Sequence, residues 1–421
     1  MSERMTSKKY SWKGGLPEIK QHSLRKHKII KDYLIDYICV RFVRSLAFSN
    51  KPWRLTIVDG FAGGGLYENH GQVQIGSPLV IGEAVREAEA KLASKYGKDR
   101  VNFDVDIICI EKNKHAVARL QEVLRMPEYA QKNAHVKAEV WPGKFSDHLP
   151  QVLQFIRKKS NKDGKCLFIL DQYGYSDVLF SQIRSILSMN SEVILTFAVD
   201  ALATYLSESK YPALRKIGFE EQSIETLQQL KNNPASCRAD IQRILSHNIF
   251  QHSKAPFYTP FLIHSDVGNW GYWLVHLSKH YKARDVMLDV HWRHGNALVH
   301  YGEPGLNMLS YKSSRDDSNT GQQMIGDEFR FDAAARAKVL GVLPEDILQL
   351  LQKISDPVSF RELKTRVSNG MSANDELFRT GLQELLESRE VHAPRKNAKS
   401  IKDKDVLQLS RQLVIPVNKK R

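Results

Sequence analysis

Short apolar runs alternate with longer amphipathic stretches over most of this chain. The first amphipathic stretch, Ser23–Leu46, places Leu24, Ile30, Leu34, Ile38 and Val43 along one broad face, the repeat of a helix. Pro52 stops it. Leu55–Asp59 then reads as a strand, followed by a loop and a helix starting near Ser77. The rhythm repeats: strand Val101–Glu111 and helix His115–Leu124, strand His135–Val140 and a helix around His148–Ile156, strand Cys166–Asp171 and a helix around Asp177–Leu187, and a fifth strand, Glu192–Ala198. Such alternation predicts a mostly parallel sheet with right-handed crossovers. Residues 201–257 break the rhythm and read as a polar helical insertion. Tyr258–His264 and Tyr272–Leu277 flank a Val267-Gly268-Asn269 turn and predict an antiparallel edge, with a helix over Lys282–His291 behind it.

The polar stretch Ser313–Gln323 reads as a linker. Beyond it come three expected helices: Glu345–Ile354, Phe360–Val367 with Ser359 at its start, and Ser372–Ser388. Two expected strands, Val391–Ala393 and Val406–Leu409, flank the basic loop RKNAKSIKDK. Three helices and a β-wing outline a winged helix-turn-helix. Residues 391–421 carry nine Lys/Arg against two Asp, a balance of +7, which points to phosphate backbone as a partner. Arg395, Lys396, Lys399, Lys402 and Lys404 are the expected nucleic-acid-binding residues. The expected division is a flexible arm over 1–20, a main domain over 21–310, a linker and connecting helix over 311–340, and a basic domain over 341–421.

Net charge is +15 over 421 residues, which favours acidic partners, nucleic acid first among them. The basic start of the first helix (Arg25, Lys26, His27, Lys28, Lys31) suits either a solvated face or a substrate-facing one. Cys39, Cys109, Cys166 and Cys237 are scattered and never form Cys-x-x-Cys, so a reducing compartment is expected, with neither a disulfide framework nor a zinc or iron–sulfur site. His280, His291 and His294 lack an acidic partner at ligand spacing, and no metal is expected there. With no secretory apolar region at the start and no apolar run of membrane-spanning length, the expected location is the cytoplasm.

The chemistry concentrates in LTIVDGFAGGG, Leu55–Gly65. An apolar strand that ends in Asp59 and runs into Gly63, Gly64 and Gly65 delivers its carboxyl end to a nucleotide-like ligand. The turn lacks the Gly-Lys-Ser/Thr ending of a P-loop, which disfavours a triphosphate. Glu111 closes the next strand, where a carboxylate can accept from two vicinal ribose hydroxyls.

Asp59-Gly60-Phe61-Ala62-Gly63-Gly64-Gly65 resembles the first motif of class I S-adenosylmethionine-dependent methyltransferases. The resemblance implies a Rossmann-like α/β sheet, S-adenosylmethionine as cofactor, and contacts from Asp59, Phe61, Ala62, Gly63, Gly65 and Glu111. It also sets Asp147, in WPGKFSDHL, near the adenine amine, although Asp147 also suits the cap of a helix starting near His148. Gly76-Ser77-Pro78-Leu79 opens the next helix, with Ser77 as the expected N-cap.

Taken in order, KHKIIKDYL, VDGFAGGG, GSPL, LDQYGYS and YWLVHLSKH…DVM resemble the three-Cys-motif partner protein family, TcmP, over roughly residues 20–300. That resemblance implies a partner carrying a three-cysteine motif of radical-SAM type, which would own any iron–sulfur chemistry. In amino-methyltransferases the fourth strand ends in an Asp/Asn-Pro-Pro-aromatic motif; here it reads Asp171-Gln172-Tyr173-Gly174-Tyr175. Asp171 and Tyr173 fit the catalytic roles, the carboxylate accepting from an amine and the ring stacking the base. Replacing proline by Gln172 is expected to loosen the backbone. Two functions follow: a methyltransferase acting on nucleic acid or a partner-bound substrate, or a non-catalytic adaptor on the same fold. A nuclease is disfavoured, because no carboxylates cluster at two-metal spacing.

Overall fold

The computed structural model describes residues 10–46, 52–129, 135–160, 165–199, 202, 208–232, 238–264, 271–299, 305–309, 328–354 and 357–410. The chain divides into two compact units, Met1–Leu298 and Val299–Arg421.

In the first unit, α1 (Gln21–Leu46) leads to β1 (Trp53–Asp59), a hairpin of β2 (Leu66–Asn69) and β3 (Gln72–Ile75), and α2 (Ser77–Tyr96). Then follow β4 (Phe103–Glu111), α3 (Lys114–Val123), β5 (Val136–Pro142), α4 (Phe145–Lys159), β6 (Cys166–Leu170), α5 (Phe180–Leu187) and β7 (Ser191–Phe197). The insertion supplies α6 (Tyr211–Ile217), α7 (Glu221–Asn232) and α8 (Arg238–Ser253). The unit closes with β8 (Phe257–His264), β9 (Gly271–Ser278), α9 (Tyr281–His294) and β10 (Ala297–Val299).

The strands run in the order β10-β8-β9-β7-β6-β1-β4-β5. From β7 to β5 all neighbours are parallel, and β9, β8 and β10 add an antiparallel edge. This is the doubly wound arrangement that the alternating pattern predicts. The central strands β6 and β7 are buried at every position, as strands covered on both faces require. The outer strand β5 alternates and reads VKAEVWP. The chain leaves β1 for β4 and β5 on one side, then crosses back to β6 and β7 on the other. Strand order reverses at β1, and in open α/β sheets the ligand crevice lies at such a reversal, outside the carboxyl ends of the strands.

Several boundaries differ from the expectations. The segment expected to be loose over 1–20 is tied down in its described part. Ile19 N donates to Glu68 O at 2.8 Å and Glu68 N to Pro17 O at 3.0 Å, while Leu16 packs against Leu66, Leu79 and Val123. The polar run after the glycine turn is the β2–β3 hairpin, because His70 and Gly71 supply the positive φ of a tight turn. Gly76, not Ser77, is the N-cap of α2, and Pro78 sits in its first turn. Helix α4 starts at Phe145, three residues before the expected point, because the buried Phe145 packs on Phe168 and Phe61. The Val267–Asn269 turn and the Ser313–Gln323 linker lie outside the described residues.

In the second unit β11 (Glu328–Arg330) precedes α10 (Ala333–Lys353), which continues through Pro344 and starts twelve residues before the expected Glu345. β12 (Val358–Ser359), α11 (Phe360–Val367), α12 (Asp375–Glu387), β13 (Val391–His392) and β14 (Val406–Leu409) follow. The last strands form a small antiparallel sheet in the order β12-β14-β13. Leu343, Ile347, Phe360, Leu363, Leu377, Phe378 and Leu382 make the core. Ser359 and Asn374 cap α11 and α12 through their side chains.

Helix α1 lies along α2 and α9 and buries Ile30, Tyr33, Leu34, Tyr37, Ile38 and Phe42. Its Tyr33 hydroxyl donates to the buried Glu192 carboxylate of β7 and lies 3.1 Å from His276 Nε2 of β9. Tyr33→Phe strips a buried carboxylate of a donor and is expected to cost about 1–3 kcal/mol. Urea denaturation followed by circular dichroism measures it, and an unchanged midpoint would refute a stabilising role for this cluster.

Candidate functional site

Three N–H groups beyond the end of β1 fix the glycine turn. Gly60 N donates to Ile169 O of β6 at 2.9 Å, and Ala62 N to Ile110 O of β4 at 3.0 Å. Gly63 N donates to Glu111 Oε2 at 2.9 Å, while Glu111 Oε1 accepts from Asn113 N at 2.6 Å. Gly63 and Gly65 sit at φ of 64° and 80°, where a side chain would be strained. The turn is thus hung between two strands, and Glu111 is held at its lip with lone pairs to spare.

Asp59 lies beneath the turn, fully buried. Its Oδ1 accepts from Phe61 N at 3.2 Å, and its Oδ2 has no hydrogen-bond partner. Burial pushes its pKa up to about 7, against the nearby Ser77 hydroxyl and the Phe61 N–H; the Asp171 and Glu111 charges add to the rise. Phe61 is half-buried and 6.0 Å from the Phe145 ring; Ala62 is buried. Asp147 stands exposed on the first turn of α4 and accepts from Ser146 Oγ at 2.9 Å. It is not the cap of that helix, whose N-cap is Lys144, and it joins none of the hydrogen bonds around Asp59 and Glu111.

Asp171, just beyond β6, holds the Lys26 ammonium of α1 through both oxygens, at 2.6 and 2.8 Å. Burial would raise its pKa, but the Lys26 charge and hydrogen bonds, with Thr196 and His27, hold it below the usual carboxylate range. The Lys26 side chain is 6% exposed and that of Asp171 23%, so the acid faces the crevice and the base backs it. One residue of the basic stretch on α1 therefore turns inward; Lys31 pairs with Glu83 and Glu87, and Arg25 and Lys28 are exposed. His27 is driven down to about 4 by burial and keeps a buried Nδ1 without a hydrogen-bond partner.

Gln172 does not loosen the strand end. It is buried; its Nε2 donates to Thr196 O at 3.2 Å, and its Oε1 accepts from Asp177 N at 3.0 Å and Val178 N at 3.1 Å. One amide side chain pins the loop 173–178 that a proline would have stiffened. Tyr173, on that loop, is 47% exposed. Tyr272 of β9 lies under the Lys26 ammonium, 5.7 Å from Nζ to ring centroid, and against His22. Sequence reasoning passed over Tyr272, Tyr67, Tyr10 and Trp12; the aromatic density of YSW at the start and of Tyr67 just after the turn was the available signal.

Of the other histidines, His291 stacks on Phe261 at 3.4 Å and pairs with Asn296, and His294 pairs with Asp32 at 2.8 Å. Among the described residues no cluster of His, Cys, Asp and Glu is arranged to hold a metal, and no helix is long and apolar enough to cross a membrane. Cys109 and Cys166 are buried in β4 and β6, where burial raises their thiol pKa.

In the second unit Lys396, Lys399, Lys402 and Lys404 are exposed on the loop between β13 and β14. Arg395, also an expected nucleic-acid-binding residue, pairs its guanidinium with Asp405 at 2.7 Å and braces the loop. Arg379 bonds Asp375, Ala398 O and Ile401 O and lies over Phe360 at 4.4 Å; Lys364 is wholly buried over Phe378 at 4.8 Å. The exposed face of α12 carries Glu376, Thr380, Glu384 and Glu387.

No protein-family model matches this chain, and no curated protein does. Among solved structures it is similar to M. jannaschii TYW2 in complex with AdoMet, at 14% identity over 62% of this chain and 76% of that one, TM-score 0.27. It is also similar to a putative S-adenosyl-L-methionine-dependent methyltransferase from Methanococcus maripaludis, at 13% identity, 66% and 97% coverage and TM-score 0.23. Loganic acid methyltransferase with SAH gives 8% identity, 65% and 84% coverage and TM-score 0.24. Likenesses of this size carry no weight of their own; strand order and site geometry do.

Two measurements test the site. Because folding raises the Asp59 pKa, the folded chain binds more protons than the unfolded one between pH 3.8 and about 7. Stability from this group is therefore present in acid and lost as pH rises through that window. Asp59→Asn is expected to flatten that part of the stability–pH curve; an unchanged slope in urea melts would remove Asp59 as its cause. Gln172→Leu is expected to cost about 1–3 kcal/mol by orphaning buried backbone groups. Hydrogen exchange at Asp177 and Val178 should quicken, and protection equal to wild type would show that the amide is dispensable.

Proposed function

We propose that this chain is an S-adenosylmethionine-dependent methyltransferase acting on nucleic acid or on a substrate held by a partner protein. The observation that carries the reading is the pair of carboxylates at the strand-order reversal. Asp59 keeps one buried oxygen without a partner, and Glu111 is fixed at the turn by Gly63 and Asn113. Asp59 Oδ2 would take the cofactor's ammonium, and Glu111 its ribose hydroxyls. S-adenosylmethionine, when bound, supplies an electrophilic methyl group on a sulfonium. The chain's own part is positioning: Asp171, kept ionised by Lys26, orients and electrostatically supports the acceptor, and the exposed Tyr173 ring offers a stacking face.

The second unit supports a winged-helix reading through its three helices and small antiparallel sheet. Phosphate contact would come from Lys396, Lys399, Lys402 and Lys404, because α12 turns acids outward. The ordered sequence blocks that resemble the three-Cys-motif partner family favour a partner protein of radical-SAM type. One observation favours the adaptor as second reading: both oxygens of Asp171 are already engaged by Lys26, in the place where an amine would dock.

The test combines binding and transfer. Asp59→Ala and Glu111→Ala are each expected to lower affinity for S-adenosylmethionine at least about tenfold in calorimetry, the loss of one charge-assisted hydrogen bond. Asp171→Ala should retain binding but lose methyl transfer from labelled cofactor to DNA, RNA or protein. Binding that survives both cofactor-site variants would sink the site; binding without transfer to any acceptor, partner included, would leave the adaptor.

A further inference from the structure

The described part of the N-terminal arm ends on the glycine turn. The rings of Tyr10, Trp12 and Tyr67 pack edge to face, with Tyr67 centred 5.2 Å from Tyr10 and 5.6 Å from Trp12. A Cβ added at Gly64 would run into the Trp12 indole, and one at Gly63 into the Tyr67 hydroxyl. The glycines thus bring aromatic rings directly onto the backbone of the turn. The arm is anchored a few residues on, through Pro17 and Ile19 to Glu68 and through Leu16 to the core. Tyr10 rests against Ser23 and the Lys20 backbone at the start of α1. Burial, then Tyr10 and the charges of Asp59, Asp171 and Glu111, hold the Tyr67 phenol well above its ordinary pKa. Tyr67 thus feels all three carboxylates, and Tyr10 and Trp12 pack against it on the glycine turn.

We propose that Tyr10, Trp12 and Tyr67 form an aromatic wall of the cofactor site that reads the positive charge of a sulfonium ligand. The inference rests on the S-adenosylmethionine reading. A sulfonium has no N–H or O–H and cannot be held by hydrogen bonds to the charged atom. Ring faces and nearby carboxylates are what proteins can offer it. Loss of the methyl group leaves a neutral thioether of nearly the same shape, for which ring faces have no charge to grip. The wall thus separates donor from product, and residues outside the glycine motif set that preference.

Calorimetry on the full chain with S-adenosylmethionine and S-adenosylhomocysteine tests this, using wild type, Trp12→Leu and Trp12→Phe. Trp12→Leu is expected to weaken the sulfonium ligand about tenfold and the thioether less than about threefold, the scale of a desolvated cation–π contact. Trp12→Phe, which keeps a ring, should stay near wild type. Equal weakening of both ligands, or none of either, overturns the wall as a charge reader. Wild type that binds neither ligand overturns the cofactor reading itself, and the wall with it. Thermal melts check the fold, and Tyr10→Leu, at a second half-buried ring, carries the same expectation if Trp12→Leu does not fold.

Discussion

Three backbone N–H groups have nothing to pair with once β1 ends, and the site depends on where they go. Gly60 bonds sideways to β6, Ala62 to β4, and Gly63 to the carboxylate that closes β4. A turn tied this way cannot move independently of its neighbours. It fixes Glu111 at the lip, seals Asp59 below and starts the hairpin that carries Tyr67. Parallel strand pairing, a feature of the whole sheet, thereby sets distances within a small site. The helices on both faces keep those strands buried and supply the Lys26 that reaches Asp171.

Two acids of the crevice are held in opposite states by their surroundings. Asp59 is stripped of water and lacks a partner for one oxygen, so its neutral form is favoured. Asp171 is also largely withdrawn from water but meets an ammonium at both oxygens, so its charged form is favoured. Pairs of carboxyl groups pushed apart in this way divide labour in many sites. Here the neutralised acid sits under the glycine turn and the ionised one at the open edge. Under the proposed reading, a cation entering over the turn would meet an acid that can give up its proton and gain a charge pair. The ionised acid is already matched by Lys26, so under the same reading it would orient an acceptor more than attract one.

The sheet was legible because its strands are buried on both faces. Runs such as CLFIL and VILTF admit few other placements, and Asp59 and Glu111 end their strands as the pattern predicts. The misreadings occur where long-range contact decides. The run after the turn is polar because its hairpin projects outward, and polarity alone reads as loop. The arm has too few apolar residues to declare itself, yet two backbone bonds to Glu68 hold it. Gln172 reads as the loss of a proline, since no local rule says that its amide will reach Thr196, Asp177 and Val178. Lys26 is one cation in a solvated-looking stretch, and only the fold turns it toward an acid 145 residues away.

Charge in the second unit shows the same limit from another side. Its basic count is a fact of sequence, but a phosphate backbone responds only to charges that face it. Arg395 and Arg379 are spent on bracing the loop, and Lys364 is buried against a ring. The helix that a winged-helix reading would send into a groove presents Glu376, Glu384 and Glu387 instead. Like charges there would repel the strand that the lysines attract. Under the proposed reading, and among the described residues 391–410, phosphate contact would fall to the exposed lysines of the β13–β14 loop, which would meet backbone and not base edges. It could hold a nucleic acid without choosing its sequence, leaving selection to the crevice of the first unit or to a partner.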